Sequence, residues 1–458
     1  MPERLVVIGG DAAGMSAAGQ ARRRRKPDEL EIVAFERGHH TSYSACGIPY
    51  FVGHVVDDVD DLIVRKPEEF KAKQSIEARI RHEVTSIDVE GRSLRVRDLE
   101  NDKELTEPFD QLLIATGAKP IRPDLPGSDA TGIFGVQVLD DGLAIEQFLQ
   151  TRTPKKAVVV GGGYIGLEMA EALIQRDVEV VLVERAPQPM GTLDPDMGKF
   201  VSEALEGLGV TVFTSEGVTG FEAEGGFVSG VRTEQRLLPA DLVVLGLGAR
   251  PNSKLAADAG IPIGPSGGIK VDRRMHTEID GVWAAGDCTE KFHLVSRKPV
   301  AIALGTHANK EGRVAGINIG GGYETFPGVV GTAVTKVCGI EIARTGLKES
   351  EAADAGFEYI VSTVDSTTRA GYFPDAAAIK TKLVVEKNSG RLLGAQILGK
   401  EGAAKRIDVL ATALWNQMTV EAMLNMDLSY APPFAPVWDP VLIAARKAWE
   451  KVDATVER

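Results

Sequence analysis

The sequence predicts an α/β protein in which two Rossmann-like dinucleotide-binding units are followed by a C-terminal α+β module. Three observations carry that reading. A glycine turn between an apolar strand and a small-residue helix occurs at Gly9 and again at Gly161. Each unit closes on a second apolar strand ending in glutamate, and past Pro327 the texture changes to alternating strands and a helix. At 458 residues the chain exceeds one core of ordinary size, and two or three domains are expected at ~150 residues each.

The first unit runs from strand Leu5 to Ile8 through Gly9-Gly10-Asp11-Ala12-Ala13-Gly14 and a helix to about Arg25, ending on strand Ile32 to Glu36. The second repeats the design with Ala157 to Val160, Gly161-Gly162-Gly163-Tyr164-Ile165-Gly166, a helix to about Arg176 and Val178 to Glu184. Glycine lets the backbone turn tightly against a pyrophosphate, the helix N-terminus offers free N–H groups, and the terminal carboxylate accepts from ribose hydroxyls. The second turn keeps all three motif glycines; the first has Asp11 where the middle glycine is usual. Leu112 to Gly117 and Gly281 to Asp287 are further strands that end in small residues, where backbone can lie against a cofactor. Beyond these, Ile379 to Glu386 and Leu392 to Ile397 read as strands and Ala403 to Trp415 as a helix.

Composition removes several function classes. A net charge of −13 repels nucleic acid and anionic lipid over most of the surface. Three cysteines, at positions 46, 288 and 338, build neither a disulfide scaffold nor a zinc pattern, so no metal is expected and a reducing cytoplasm fits. The N-terminus enters its first strand without a signal-peptide core, and no apolar run approaches the ~18 residues of a membrane span.

With both glycine turns, Ala115-Thr116-Gly117 and Gly286-Asp287 in place, the chain resembles the two-dinucleotide flavoprotein disulfide reductases from about Leu5 to Ala445. Ser42-Tyr43-Ser44-Ala45-Cys46-Gly47-Ile48-Pro49-Tyr50, together with Leu428 to Phe434 and Val437 to Pro440, is similar to the single-cysteine branch of coenzyme A disulfide reductases, NADH oxidases and persulfide or polysulfide reductases. The resemblance implies an FAD-binding domain over 1–118 and 246–326, an NAD(P)H-binding domain over 119–245, a dimerisation domain over 327–446 and a tail over 447–458. It implies FAD held by Gly9, Asp11, Ala12, Ala13, Gly14, Glu36, Arg37 and Ser44, flanked by Ala115, Thr116, Gly117 and Gly286, with Asp287 on the ribityl chain. NADH or NADPH would rest on Gly161, Gly163, Ile165, Gly166, Glu184 and Arg185, with Tyr164 and Glu168 near the reacting rings. Glu184 favours the unphosphorylated ribose, although Arg185 can compensate. The branch also implies a homodimer with shared active sites.

Cys46 is the expected redox centre. Serines precede it, and the following segment resembles the family's helix start, whose dipole would favour thiolate. A two-cysteine reductase carries its second cysteine where Phe51 stands, so the oxidised state must be a mixed disulfide, a sulfenic acid or a persulfide. Tyr430 and Tyr372 are the candidate proton donors to the departing thiolate. Arg22, Ser42 and Lys73 match positions lining a coenzyme A pocket in the family, while the remainder of the Arg22 to Lys26 run reads as a solvated helix end. Peroxide-reducing relatives carry histidine at the place of Ala12, and some coenzyme A disulfide reductases carry asparagine at Ala45. The leading expectation is an NAD(P)H-dependent disulfide or persulfide reductase. The alternatives are an NADH oxidase cycling through a Cys46 sulfenate and a redox-sensing flavoprotein that regulates a partner.

Overall fold

Short β-branched runs buried on both faces form two parallel sheets, as such runs must when helices cover each side. The computed structural model describes residues 2–454. In the first sheet the order is Val282–Ala284, Gln111–Ile114, Glu3–Ile8, Leu30–Phe35, Ile76–Arg79. Its register pairs Ile8 with Phe35 and with Ile114, and Ile114 with Ala284. Gly9, Glu36, Ala115 and Ala285 therefore leave the sheet along one edge, where an open α/β sheet binds ligands.

The second sheet is ordered Thr211–Phe213, Glu179–Val183, Lys156–Val160, Leu242–Leu245, Ile133–Gly135. Val160 pairs with Val183 and with Leu245, so Gly161, Glu184 and Gly246 line the equivalent edge. Two antiparallel three-stranded sheets, His82–Asp88 with Ser93–Asp98 and Lys103–Pro108, and Val218–Glu224 with Phe227–Thr233 and Leu237–Pro239, were not visible as elements in the sequence.

The helices Ala12–Arg24 and Gly305–Ile319 approach closely because glycine replaces a side chain on the contact face. A Cβ at Gly312 would lie 2.3 Å from the Ala13 carbonyl oxygen, and one at Gly316 would lie 2.2 Å from that of Ala17. The third module is an antiparallel sheet, Ala333–Val337, Ile340–Gly346, Leu392–Gly399, Ala378–Glu386, Tyr359–Thr367, covered by the helices Ile407–Trp415 and Pro440–Asp453. The sequence reading places a separate tail from residue 447. Helix Pro440–Asp453 runs through that boundary because Ala448 and Val452 are buried against the module's core. The last residues of the expected tail, 455–458, lie outside the described residues.

Candidate active site

The two glycine turns are held by the same device. Glu36 accepts from Gly10 N–H at 2.8 Å and Gly38 N–H at 2.7 Å, while Glu184 accepts from Gly162 N–H and Ala186 N–H, each at 2.7 Å. Each carboxylate thus ties its strand end to the glycine turn and keeps lone pairs to spare. Glycine is obligatory at four of these positions. Gly9 and Gly161 have φ of +111° and +100°, and a Cβ at Gly14 or Gly166 would lie 2.0 Å from the carbonyl oxygen of Gly9 or Gly161.

The seats have the form of ligand sites. A Cβ on Gly163 would meet nothing nearer than 3.8 Å, and one on Gly117 nothing within 4 Å, so both turns open into space. A cavity of about 230 Å³ lies beside Glu36, lined also by Arg37, His39, Tyr43 and Asp140. Asp287 Oδ1 is buried without a hydrogen-bond partner, an acceptor facing a site that a ligand hydroxyl would satisfy. Burial raises the Asp287 carboxyl, against the opposing pull of Lys291 and the Leu304 backbone. Lys291, itself fully buried, donates to Gly286 O at 2.9 Å and faces Glu311 at 3.4 Å, fixing the loop that carries Asp287. Thr116 and Asn252 bond reciprocally, Thr116 Oγ1 donating to Asn252 O at 2.7 Å, which holds the Ala115 to Gly117 turn.

Cys46 sits in a short 3₁₀ turn, Ala45–Gly47, that leads into helix Ile48–Val52. Its side chain is exposed, whereas Cys288 is fully buried and Cys338 half-buried. The expected dipole effect does not prevail at this thiol. Burial, then the charges of Glu168, Asp287 and Asp11, push Cys46 above its ordinary value. An exposed residue thus carries a thiol with acidic neighbours. Glu168 is itself raised, chiefly by burial, and accepts from Thr335 Oγ1 of the third module at 2.6 Å. One carboxylate therefore links the second glycine helix, the thiol and the C-terminal sheet. Tyr50, one helical turn beyond Cys46, is raised by burial and by Glu168, Glu171 and Cys46. Neither Tyr50 nor Thr335 was singled out from sequence, since proximity to Cys46 was the only available signal for the first and none existed for the second.

Other expected residues are arranged differently. Arg22 directs its guanidinium to carbonyls, Gln74 O at 2.9 Å, Arg25 O at 3.0 Å and Ser75 O at 3.3 Å, so it binds its own helix end to the C-terminal end of helix Pro67–Gln74. Lys73 pairs with Glu69 at 2.7 Å on the surface. Ser42 has φ of +46° and gives its backbone N–H to Gly10 O at 3.0 Å. Arg185 is exposed beside Glu184, and Arg37 lies 3.9 Å from Glu83. Tyr372 and Tyr430 are 78% and 47% exposed on the third module, and the nearby Tyr372 hydroxyl raises Tyr430. Phe434 and Trp438 stand exposed near them. Arg406 clips these loops together through Thr368 O at 2.7 Å, Phe434 O at 2.9 Å and Asp439 at 2.9 Å.

Two dinucleotide seats converging on one exposed cysteine define a flavoprotein that moves electron pairs between a nicotinamide and a sulfur centre. Residues 3–312 match the model of the pyridine nucleotide-disulphide oxidoreductase family, and 332–440 match that of its dimerisation domain. The chain belongs to this family, and FAD and NAD(P)H binding come with membership. It is 36% identical over 454 residues to a protein named NADH oxidase from Methanocaldococcus jannaschii, covering 98% of this chain and 99% of the relative. It is 38% identical over 447 residues to the NAD(P)H coenzyme A polysulfide/persulfide reductase of Pyrococcus horikoshii, covering 97% of this chain and 98% of that one. Among solved structures, the NAD-dependent persulfide reductase of A. fulgidus superposes with a TM-score of 0.95 at 39% identity, over 99% of this chain and 84% of that one. Among the described residues no helix is long and apolar enough to cross a membrane.

Proposed function

We propose that this enzyme reduces a small disulfide or persulfide, coenzyme A disulfide and coenzyme A persulfide being the leading substrates, with electrons from NAD(P)H. The observation that carries the reading is Cys46, an exposed thiol at the meeting point of both seats with no second cysteine beside it. Cys288 is fully buried, its thiol donating to Ala285 O at 3.3 Å, and Cys338 lies on the third module. Such a centre cannot close an internal disulfide and must exchange with a thiol from solution.

When bound, FAD supplies the relay of two electrons from the nicotinamide to sulfur. Cys46 thiolate attacks the substrate disulfide; one S–S bond breaks, one thiol leaves, and a mixed disulfide forms at Cys46. The electron pair from NAD(P)H then cleaves the mixed disulfide, freeing the second thiol and restoring Cys46, so that one disulfide, one NAD(P)H and one proton give two thiols and NAD(P)⁺. Glu36 and Glu184 hold the two turns in position. Glu184 favours NADH, because its carboxylate repels a phosphate at the ribose it faces.

Tyr372 and Tyr430 act across a homodimer, donating the proton to the departing thiolate in the partner's site. The proximity of the two hydroxyls and the exposed aromatics around them support this assignment. Replacing both by Phe should lower disulfide turnover about 10²-fold, the usual scale of a lost proton donor, with flavin reduction by NADH unchanged in stopped flow. Equal losses in both half-reactions would remove the tyrosines from proton transfer.

The deciding assay follows NADH oxidation with coenzyme A disulfide, a coenzyme A persulfide or oxygen as sole acceptor. Thiol release in step with NADH supports the reductase. Oxygen uptake accounting for all NADH in the presence of the sulfur acceptors would replace it with the oxidase reading that the Methanocaldococcus relative's name favours.

A further inference from the structure

The two glycine turns differ at one equivalent position. Gly163 is the N-cap of helix Tyr164–Ile174 and Asp11 is the N-cap of helix Ala12–Arg24, both in extended backbone. At Gly163 the direction a side chain would take opens into empty space, the space in which a dinucleotide's pyrophosphate meets a helix N-terminus. At the first turn a carboxyl group is built into that direction. It does not cap its own helix, and Asp11 Oδ1 instead accepts from Tyr43 N–H at 3.2 Å.

The groups around Asp11 are acidic or neutral. Glu36 lies at the end of the adjoining strand, Asp287 on the loop after Val282–Ala284, and Tyr43 and Cys46 on the segment in front. The charges that act most on Asp11 are those of Glu36 and Asp287. Burial first, then Glu36 and Asp287, push Asp11 up to about 6, against the hydrogen bond from Tyr43 N–H. A pyrophosphate seated on this helix adds two negative charges to a site that already holds three carboxylates. Neutralising one of them is the least costly way to relieve the repulsion.

We propose that Asp11 carries a proton whenever FAD occupies the first glycine turn, so that the flavin dinucleotide and a proton bind together. The claim rests on the FAD seat described above and concerns how that seat tolerates an acid where glycine is usual. The sign follows from linkage. The bound state holds the higher Asp11 value, so binding is tightest below about 6 and weakens as pH rises from there toward the value in the complex. One proton per flavin gives about a tenfold rise in Kd per pH unit within that window.

The test uses the dimeric protein stripped of flavin and titrated with FAD between pH 5 and 9, read by quenching of flavin fluorescence. A parallel calorimetric titration in two buffers of different ionisation enthalpy counts protons taken up. The parent should take up close to one proton at neutral pH and show the slope. Asp11→Asn should bind FAD with no slope, and Asp11→Gly, which copies the second turn, should bind as tightly at pH 9 as at pH 6. A flat profile for the parent, or an unchanged slope in a folded Asp11→Asn or Asp11→Gly protein, overturns the proposal while leaving the flavin seat intact. Failure to bind FAD at any pH would instead remove the seat itself.

Discussion

Cys46→Ser should abolish NADH-dependent disulfide reduction, lowering kcat by about 10³-fold or more, the scale on which loss of a covalent nucleophile acts. Serine keeps the size and a hydroxyl but offers no thiolate to exchange with a disulfide, so the mixed disulfide cannot form. The variant should fold as the parent does, since the side chain is exposed and surface changes of this size stay within about 0.5 kcal/mol. It should also hold yellow flavin and bleach on addition of NADH, because neither seat touches the sulfur through a bonded contact. Cys338→Ser, on the third module, is the matching control and should leave turnover in place. Stopped-flow bleaching followed by a steady-state assay on the same sample separates the two half-reactions. A Cys46→Ser enzyme that still releases two thiols per NADH would place the chemistry elsewhere.

The parts of this site legible in the sequence are those whose physical demand is local. A backbone that must turn at φ near +100° and let a helix pass within van der Waals distance of a carbonyl requires glycine at fixed spacing, and Gly9, Gly14, Gly161 and Gly166 announce it. Cys46 stood out in the sequence because serines precede it and the segment after it resembles a family helix start. Its electrostatics were not, because Glu168 lies on the second glycine helix and Asp287 on a distant loop, and no local pattern reports their approach. The same limit explains the basic run after the first helix. Read along the chain, Arg22 is a free cation near a predicted thiol; in the fold its N–H groups meet the carbonyls of Gln74, Ser75 and Arg25. The aromatic loops at Tyr372 and Tyr430 were legible as motifs, while the bonds by which Arg406 joins Thr368 O to Phe434 O were not.

Least legible of all is the contact between the nicotinamide unit and the third module, and it supports the prediction with the largest effect on stability. Lys382, 1% exposed on strand Ala378–Glu386, reaches Asp196 at 2.6 Å, Glu349 at 2.5 Å and Asp194 at 3.2 Å. Asp194 is also buried and is fixed further by Gln396 Nε2 at 2.6 Å and Glu349 N–H at 3.0 Å. The same loop is gripped by Arg344 on Thr192 O at 2.9 Å and Lys348 on Gly191 O at 2.7 Å. The three acids could be mistaken for a metal site, but the ammonium fills that role. Burial lowers Lys382, and hydrogen bonds to Asp196 and Glu349 with the charge of Asp194 outweigh it, holding the ammonium above its usual value. The parent therefore keeps this stabilisation below the ordinary lysine range and loses it only in stronger alkali. Lys382→Met removes the cation, preserves most of the volume and leaves a buried carboxylate uncompensated, which should cost about 3–5 kcal/mol. Urea unfolding at neutral pH should show that loss. Adding Asp194→Asn to Lys382→Met should recover part of it, the non-additivity expected of groups in one network. A single variant that loses under about 1 kcal/mol would show that packing, and not this charge cluster, joins the two modules.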